Sequence, residues 1–336
     1  MRINNVVLGV SILLLMSCQQ SINLKKDTEV KIIFDSDFGP DYDDVGAIAF
    51  LHAMADSGKA EILATISSNK YELAGPCINI LNTYFNRPDI PIGSPKNSAV
   101  NLGAWQHWTD TLVKKYPHKL LSTSRAMDAV VLYRKILSSQ PDTSVTIVTV
   151  GFLTNMRDLL QSLPDSLSPL NGTDLIIKKV KRLVSMAGKF PQGREFNIYM
   201  DSTASKYAFE NWPTPIIFSG FEIGWEIRTG LRFIESEVQN NPVKEVFKLS
   251  IPLAAEDKNG RMSWDQTAVL IGIYGTESFF DKVQGQIIVN PYGTNSWKND
   301  SNGRHTYVVQ KMPVKEMSIF IEDRMMHVPV KTAGRK

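Results

Sequence analysis

Five short apolar runs recur along the chain, and the first three lead into stretches whose apolar residues fall at helical spacing. Val30–Phe34, Ile62–Ile66, Val145–Val150, Leu183–Met186 and Ile216–Phe218 read as strands with no polar face. Such strands must be covered on both sides. Between them, Val45–Ala55 places Ile48, Leu51, His52 and Ala55 on one helical stripe, Ala74–Phe85 repeats the pattern, and another helix is expected from about Asn155. Alternation of buried strands with helices implies parallel pairing through crossovers. The expected fold is a mostly parallel, doubly wound, Rossmann-like α/β sheet with helices on both faces. In such sheets chemistry gathers beyond the carboxyl ends of the strands, so a polar motif in that position carries weight.

The length of 336 residues, with 43% hydrophobic and 21% charged, allows a sizeable core, and a single domain is expected over residues 30–330. A net charge of +3 gives no general case for a nucleic-acid partner. The run Lys178, Lys179, Lys181, Arg182 reads as a solvated approach to a strand. At the N-terminus, Arg2 precedes an apolar run from Val6 to Met16, which is too short to span a membrane. Leu15-Met16-Ser17-Cys18 resembles a bacterial lipobox, which implies a signal over 1–18, lipidation of Cys18 and a polar tether over 19–29. The protein would then be extracytoplasmic and attached to a membrane only through its lipid. Cys77, the other cysteine, has no partner for a disulfide and reads as a small buried helix residue.

The motif that passes the strand-end test is Asp35-Ser36-Asp37-Phe38-Gly39-Pro40-Asp41-Tyr42-Asp43-Asp44. Five carboxylates crowd a turn directly after the first strand and before a helix. Like charges at this density repel, and burial aggravates the cost unless a cation offsets it. An all-oxygen set suits Ca²⁺ or Mg²⁺ rather than zinc. Helix capping accounts for one or two aspartates at a helix start, not five. The spacing and terminal glutamate of an EF-hand are missing.

These residues resemble the opening motif of the nucleoside hydrolase family of the inosine-uridine-preferring type, Asp-x-Asp-Pro-Gly-x-Asp-Asp, with two extra residues in the loop. Further similarities follow in the family's order: Ser67-Ser68-Asn69 after the second strand, Val150-Gly151-Phe152-Leu153-Thr154-Asn155, Glu195-Phe196-Asn197, and Trp264-Asp265. The resemblance implies calcium held by Asp37, Asp44, Asp265 and the Val150 carbonyl, with Asp37 as general base toward water. It assigns Asp43, Asn69 and Asn197 to the ribose hydroxyls and Glu195 to the 5′ side. Asp41 rivals Asp43 in register, and Asp43 is preferred because the helical pattern begins directly afterwards. The implied reaction is hydrolysis of the N-glycosidic bond of a small nucleoside, serving purine salvage, with inversion and no covalent intermediate. The resemblance also suggests a homo-oligomer.

Trp264 stands where some relatives carry a histidine acid, and it cannot serve as one. This points to the purine-preferring branch, in which tryptophans stack on the base, with Trp105 or Trp108 as the opposite wall. His107 and His305 are alternative acids. Lys189 replaces a sugar-contacting asparagine and could meet a phosphate or carboxylate. A lipoprotein that binds nucleosides or sugars without turnover, or a hydrolase of a related riboside, remains open at this point. The segment from Asn299 to Pro329 is expected to add an antiparallel strand pair.

Overall fold

A computed structural model describes residues 29–329. Cys18, the signal and nearly all of the tether lie outside the described residues. Eleven strands form one sheet, in the spatial order Met127–Asp128, Ile92–Ser94, Ala60–Ser67, Val30–Ser36, Val145–Thr149, Val180–Met186, Ile216–Ser219, His305–Gln310, Phe280–Val289, Thr294–Asn299 and Gln192–Arg194. The first eight pair in parallel and the last three antiparallel. The mostly parallel, doubly wound architecture is therefore as expected, with an antiparallel extension along one edge.

Successive residues of the first strand serve opposite faces. Ile32 and Phe34 belong to one buried cluster and Ile33 to the other, which is why that strand has no polar side. Cys77 is a buried free thiol on the helix Ala74–Tyr84. Residues 299–329 differ from expectation. One strand, His305–Gln310, joins the sheet, and the Ile319-Ile321 segment lies in the helix Val314–Met325. Met317, Ile321 and Met325 bury one side of that helix at four-residue spacing, and this outweighs the two-residue alternation of Ile319 and Ile321.

Two close approaches position the carboxyl ends of the central strands. The helix Asp43–Asp56 packs on the helix Trp264–Tyr274, where Gly46 meets the Gln266 side chain with no room for a methyl group. This crossing draws Asp43, Asp44 and Asp265, all in first helical turns, toward one point. At Gly151 a Cβ would sit 2.5 Å from Ser68 Oγ and against the Asp37 backbone nitrogen. The missing side chain lets the Val150 peptide lie beside the aspartate loop.

Candidate active site

A cavity of about 500 Å³ opens over these strand ends, within the range of roughly 300–1,000 Å³ usual for small-molecule sites. Its buried floor is lined by Asp37, Asp43, Asp265, Val150, Met186, Glu195, Asn197 and Arg261. Exposed or half-buried residues form the mouth, among them Asp41, Trp105, Arg194, Tyr199, Trp225 and Glu256.

Each carboxylate of the cluster has its own surroundings. Asp35 lies behind the floor, where Oδ2 accepts from Tyr133 Oη at 2.8 Å and Asn155 Nδ2 at 2.9 Å, and burial lifts its pKa to about 7. Asp37 faces the cavity, and no ion pair among the described residues holds it. Burial pushes its pKa up, and the charges of Asp44 and Asp41 add to the effect. Asp44 accepts from Ser36 Oγ on one oxygen; the other is buried with no partner. Burial, then the Asp43 charge, lifts Asp44 to about 7. Asp265 is raised by burial and by its four carboxylate neighbours.

Asp43 is neutralised from within the protein. Its Oδ1 accepts from Arg261 at 2.7 and 3.2 Å, and its Oδ2 accepts the Asp265 backbone N–H at 3.2 Å. Arg261 also pairs with Asp41 at 2.6 Å and with Asp257 at 3.6 Å, and its guanidinium lies between the rings of Tyr42 and Trp264. Asp41 is therefore more than a loop insertion: it lines the cavity and helps hold this arginine. Sequence reasoning missed Arg261, although it lies only three residues before Trp264 and directly ahead of the late helix start.

Whether these residues suit a divalent cation can be judged from their own chemistry. Asp41, Asp43 and Asp44 place carboxylate oxygens within 4.8 Å of one another. Asp37, Asp265 and Val150 line the same floor. Five carboxylates counting Asp41 face one buried arginine, and an unpartnered buried carboxylate oxygen is costly. The donor set is all oxygen with surplus negative charge, and it fits a hard cation. Arg261 already engages two of the three closest carboxylates, so the remaining donors are the better ligands.

The other expected residues divide. Asn197 lines the cavity, and its Nδ2 donates to the Val150 and Met186 carbonyls at 3.0 Å each. It therefore steadies the Val150 oxygen while leaving that oxygen a second lone pair. Glu195 is buried and caps the helix Phe196–Met200, accepting N–H groups of Gly188, Asn197 and Ile198 at 3.0, 2.8 and 3.2 Å. Burial still lifts it to about 7. Oε2 takes two of these groups and Oε1 one, so Oε1 keeps capacity for a further donor such as a 5′ hydroxyl.

Asn69 does not reach the cavity. Its amide ties the Asp37, Phe38 and Leu102 carbonyls to the Tyr71 and Leu102 N–H groups, so it joins two loops rather than meeting a sugar. Trp108 is likewise not a wall: it is fully buried against Phe38 and donates to the Asp41 carbonyl at 3.1 Å. Lys189 is exposed outside the lining, its ammonium 5.1 Å from the Phe221 ring centroid. Neither His107 nor His305 lines the cavity.

Trp105 is at the mouth, 5.8 Å from Phe196. Trp264 donates to the Phe221 carbonyl at 2.7 Å and clusters with Phe221 and Trp225, ring centroids 5.3 and 6.2 Å away. Phe221 and Trp225 were missed, although the short helix Phe221–Glu226 that carries them follows the strand Ile216–Ser219 and the strand-end rule nominates its start.

The chain belongs to the inosine-uridine preferring nucleoside hydrolase family, which it matches over residues 32–318. It is 31% identical over 206 residues to the pyrimidine-specific ribonucleoside hydrolase RihA of Salmonella schwarzengrund, across 57% of this chain and 60% of that protein. The chain thus spans about 60% of the length of the curated relatives it matches. Among solved structures, a purine-preferring ribonucleoside hydrolase from Gardnerella vaginalis superimposes with a TM-score of 0.69 at 15% identity, covering 88% of this chain and 98% of its own. An inosine-uridine preferring nucleoside hydrolase from Bacillus anthracis gives 0.65 at 15%, covering 88% and 99%. These two likenesses establish the fold.

Proposed function

We propose that the protein hydrolyses the N-glycosidic bond of purine ribonucleosides with the help of a bound calcium ion, releasing base and ribose. The observation that carries this reading is the meeting, in one cavity, of a carboxylate floor with an aromatic wall of Phe221, Trp225 and Trp264. Asp37, Asp44, Asp265 and the Val150 carbonyl would hold the ion, which when bound would acidify water and keep its carboxylate neighbours ionised. Asp37 then takes the proton of the attacking water as that oxygen bonds to the anomeric carbon and the carbon–nitrogen bond breaks, its electron pair leaving with the base nitrogen, which takes up a proton from solvent. Asp43, locked by Arg261, presents fixed charge to the ribose diol, and Asn197 holds the Val150 oxygen in place. The aromatic wall takes the face of the departing base. RihA is named for pyrimidines, so base choice is part of the test.

The purified protein is incubated with purine and pyrimidine ribonucleosides, with calcium and with chelator, and free base and ribose are measured. Release from purines, lost with chelator and restored by calcium, is expected. Binding without release from any nucleoside would overturn the reading in favour of a non-catalytic nucleoside-binding protein, an alternative favoured by the tight pairing of Asp43 and by a cavity lining without histidine. We further propose a lipid anchor at Cys18, on the strength of the Leu15-Met16-Ser17-Cys18 motif. Cys18→Ala should shift the protein from the membrane to the soluble fraction, and an unchanged distribution would refute the anchor.

A further inference from the structure

Two arginines line the cavity, and they are in opposite states. Arg261 is buried, and its guanidinium is engaged by Asp41, Asp43 and Asp257. Arg194 is exposed at the mouth, and no carboxylate among the described residues pairs with it. Its guanidinium lies 3.6 Å from the ring centroid of Tyr199, another cavity-lining residue.

That position is built in rather than incidental. Arg194 ends the strand Gln192–Arg194 and is in register with Thr294 of the neighbouring strand. Tyr199 is held edge-on by Phe196, with ring centroids 5.4 Å apart, and by the turn at Gly293, where a Cβ would lie 2.5 Å from Tyr199 Cα. Gly293 has a φ of +75°, so the turn keeps both the conformation and the space that only glycine tolerates there. Stacking on an aromatic ring leaves the edge of a guanidinium, with its N–H groups, free to receive a planar or tetrahedral oxyanion.

The direction in which Arg194 lies follows from the other two walls. In the reading proposed above, on which this inference rests, the sugar diol meets the acidic floor and the base meets Phe221, Trp225 and Trp264. The remaining substituent of the ribose, at the 5′ carbon, is left to the Phe196–Tyr199 side. Among the described residues, the carboxylate lining that side is Glu195, whose oxygens already accept three backbone N–H groups. Arg194, with no carboxylate among the described residues pairing it, adds to that side an uncompensated cation, which suits an anion. Of the two acidic residues at the mouth, Asp41 is paired with Arg261, and Glu256 is carried by the separate turn Ala255–Asp257.

We propose that Arg194, supported by Tyr199, is a specificity-determining residue that receives a 5′-phosphate, so that 5′-phosphorylated ribosides are preferred over free nucleosides. The test compares kcat/KM for inosine, inosine 5′-monophosphate and inosine 5′-diphosphate in the wild type, Arg194→Gln and Arg194→Lys. The monophosphate is expected to exceed inosine by about tenfold, as one charge-assisted contact can provide. The diphosphate arm shows whether the second phosphate adds anything. In Arg194→Gln the phosphate-to-nucleoside ratio should fall toward one, and Arg194→Lys should keep part of it, lacking the two-pronged geometry. Raising salt should shrink the wild-type ratio, because this cation is solvent-exposed.

Inosine hydrolysed as well as its phosphates, or a ratio unmoved by Arg194→Gln, would overturn the inference while leaving the hydrolase reading intact. If no compound is hydrolysed, that reading fails, and calorimetry with ribose 5-phosphate and ribose still decides this one. Tighter binding of the phosphate, lost in Arg194→Gln, sustains it; equal binding of the two sugars overturns it.

Discussion

Asp37 and Asp43 lie six residues apart, at either end of the turn between the first strand and the first helix, and are both buried, yet their charges are handled differently. Asp43 has Arg261 against it, whereas Asp37 faces the cavity among other carboxylates. Asp37→Asn keeps the shape but removes the base, so turnover should fall by about 10²–10⁴-fold. The same change relieves repulsion, so the melting temperature measured without calcium should not fall. Near-normal base release from this variant would show that Asp37 is not the base. Arg261→Met should act on stability instead. It leaves Asp41, Asp43 and Asp257 without their cation, and losing one member of a buried ion-pair network costs about 3–5 kcal/mol. Denaturant titration checks this, and a loss below about 1 kcal/mol would mean that the carboxylates find other partners. The aspartates were legible because five in ten residues demand an explanation. Arg261 was not, because a single arginine in sequence carries no sign of the charges it will meet.

Among the elements, the aromatic wall joins the helix Phe221–Glu226 to the start of the helix Trp264–Tyr274. If it stacks on the base, Trp264→Ala should forfeit about 1–3 kcal/mol of that contact, seen mainly as a raised KM for nucleosides. Trp225→Ala is the companion measurement, since Trp225 is partly exposed and holds less of the core. A KM unchanged in both variants would place the base elsewhere. Long buried strands and amphipathic helices could be read in advance because their periodicity extends over many residues. The strands Ile92–Ser94, Met127–Asp128 and Gln192–Arg194 could not: three residues or fewer show no period, and they exist because a neighbour offers backbone partners. Trp108 illustrates the converse limit. Its loop position suggested a wall, but its ring found the core behind the aspartate turn.

For the whole molecule, two buried histidines make stability depend on pH. Burial lowers His52 to about 3 and His305 to about 4, so both are neutral in the folded protein. The unfolded chain protonates them below their ordinary value of about 6.5. Each contribution is therefore fully present above about 6.5 and declines as pH falls toward the folded value. Asp35 and Glu195, both raised to about 7, act in the opposite sense. The difference between wild type and His52→Gln isolates one histidine: the wild type should lose stability relative to the variant between pH 6.5 and 3. A difference that stays constant with pH would contradict this assignment. The sequence alone settled the parallel α/β class, the family and the location of the acidic turn, because these depend on periodicity and local residue order. Which carboxylates of the Asp35–Asp44 turn are left unpaired was decided only by tertiary structure. That outcome depends on Arg261, more than two hundred residues away along the chain, whose charge reaches Asp41 and Asp43 only once the sheet and its helices have closed around them.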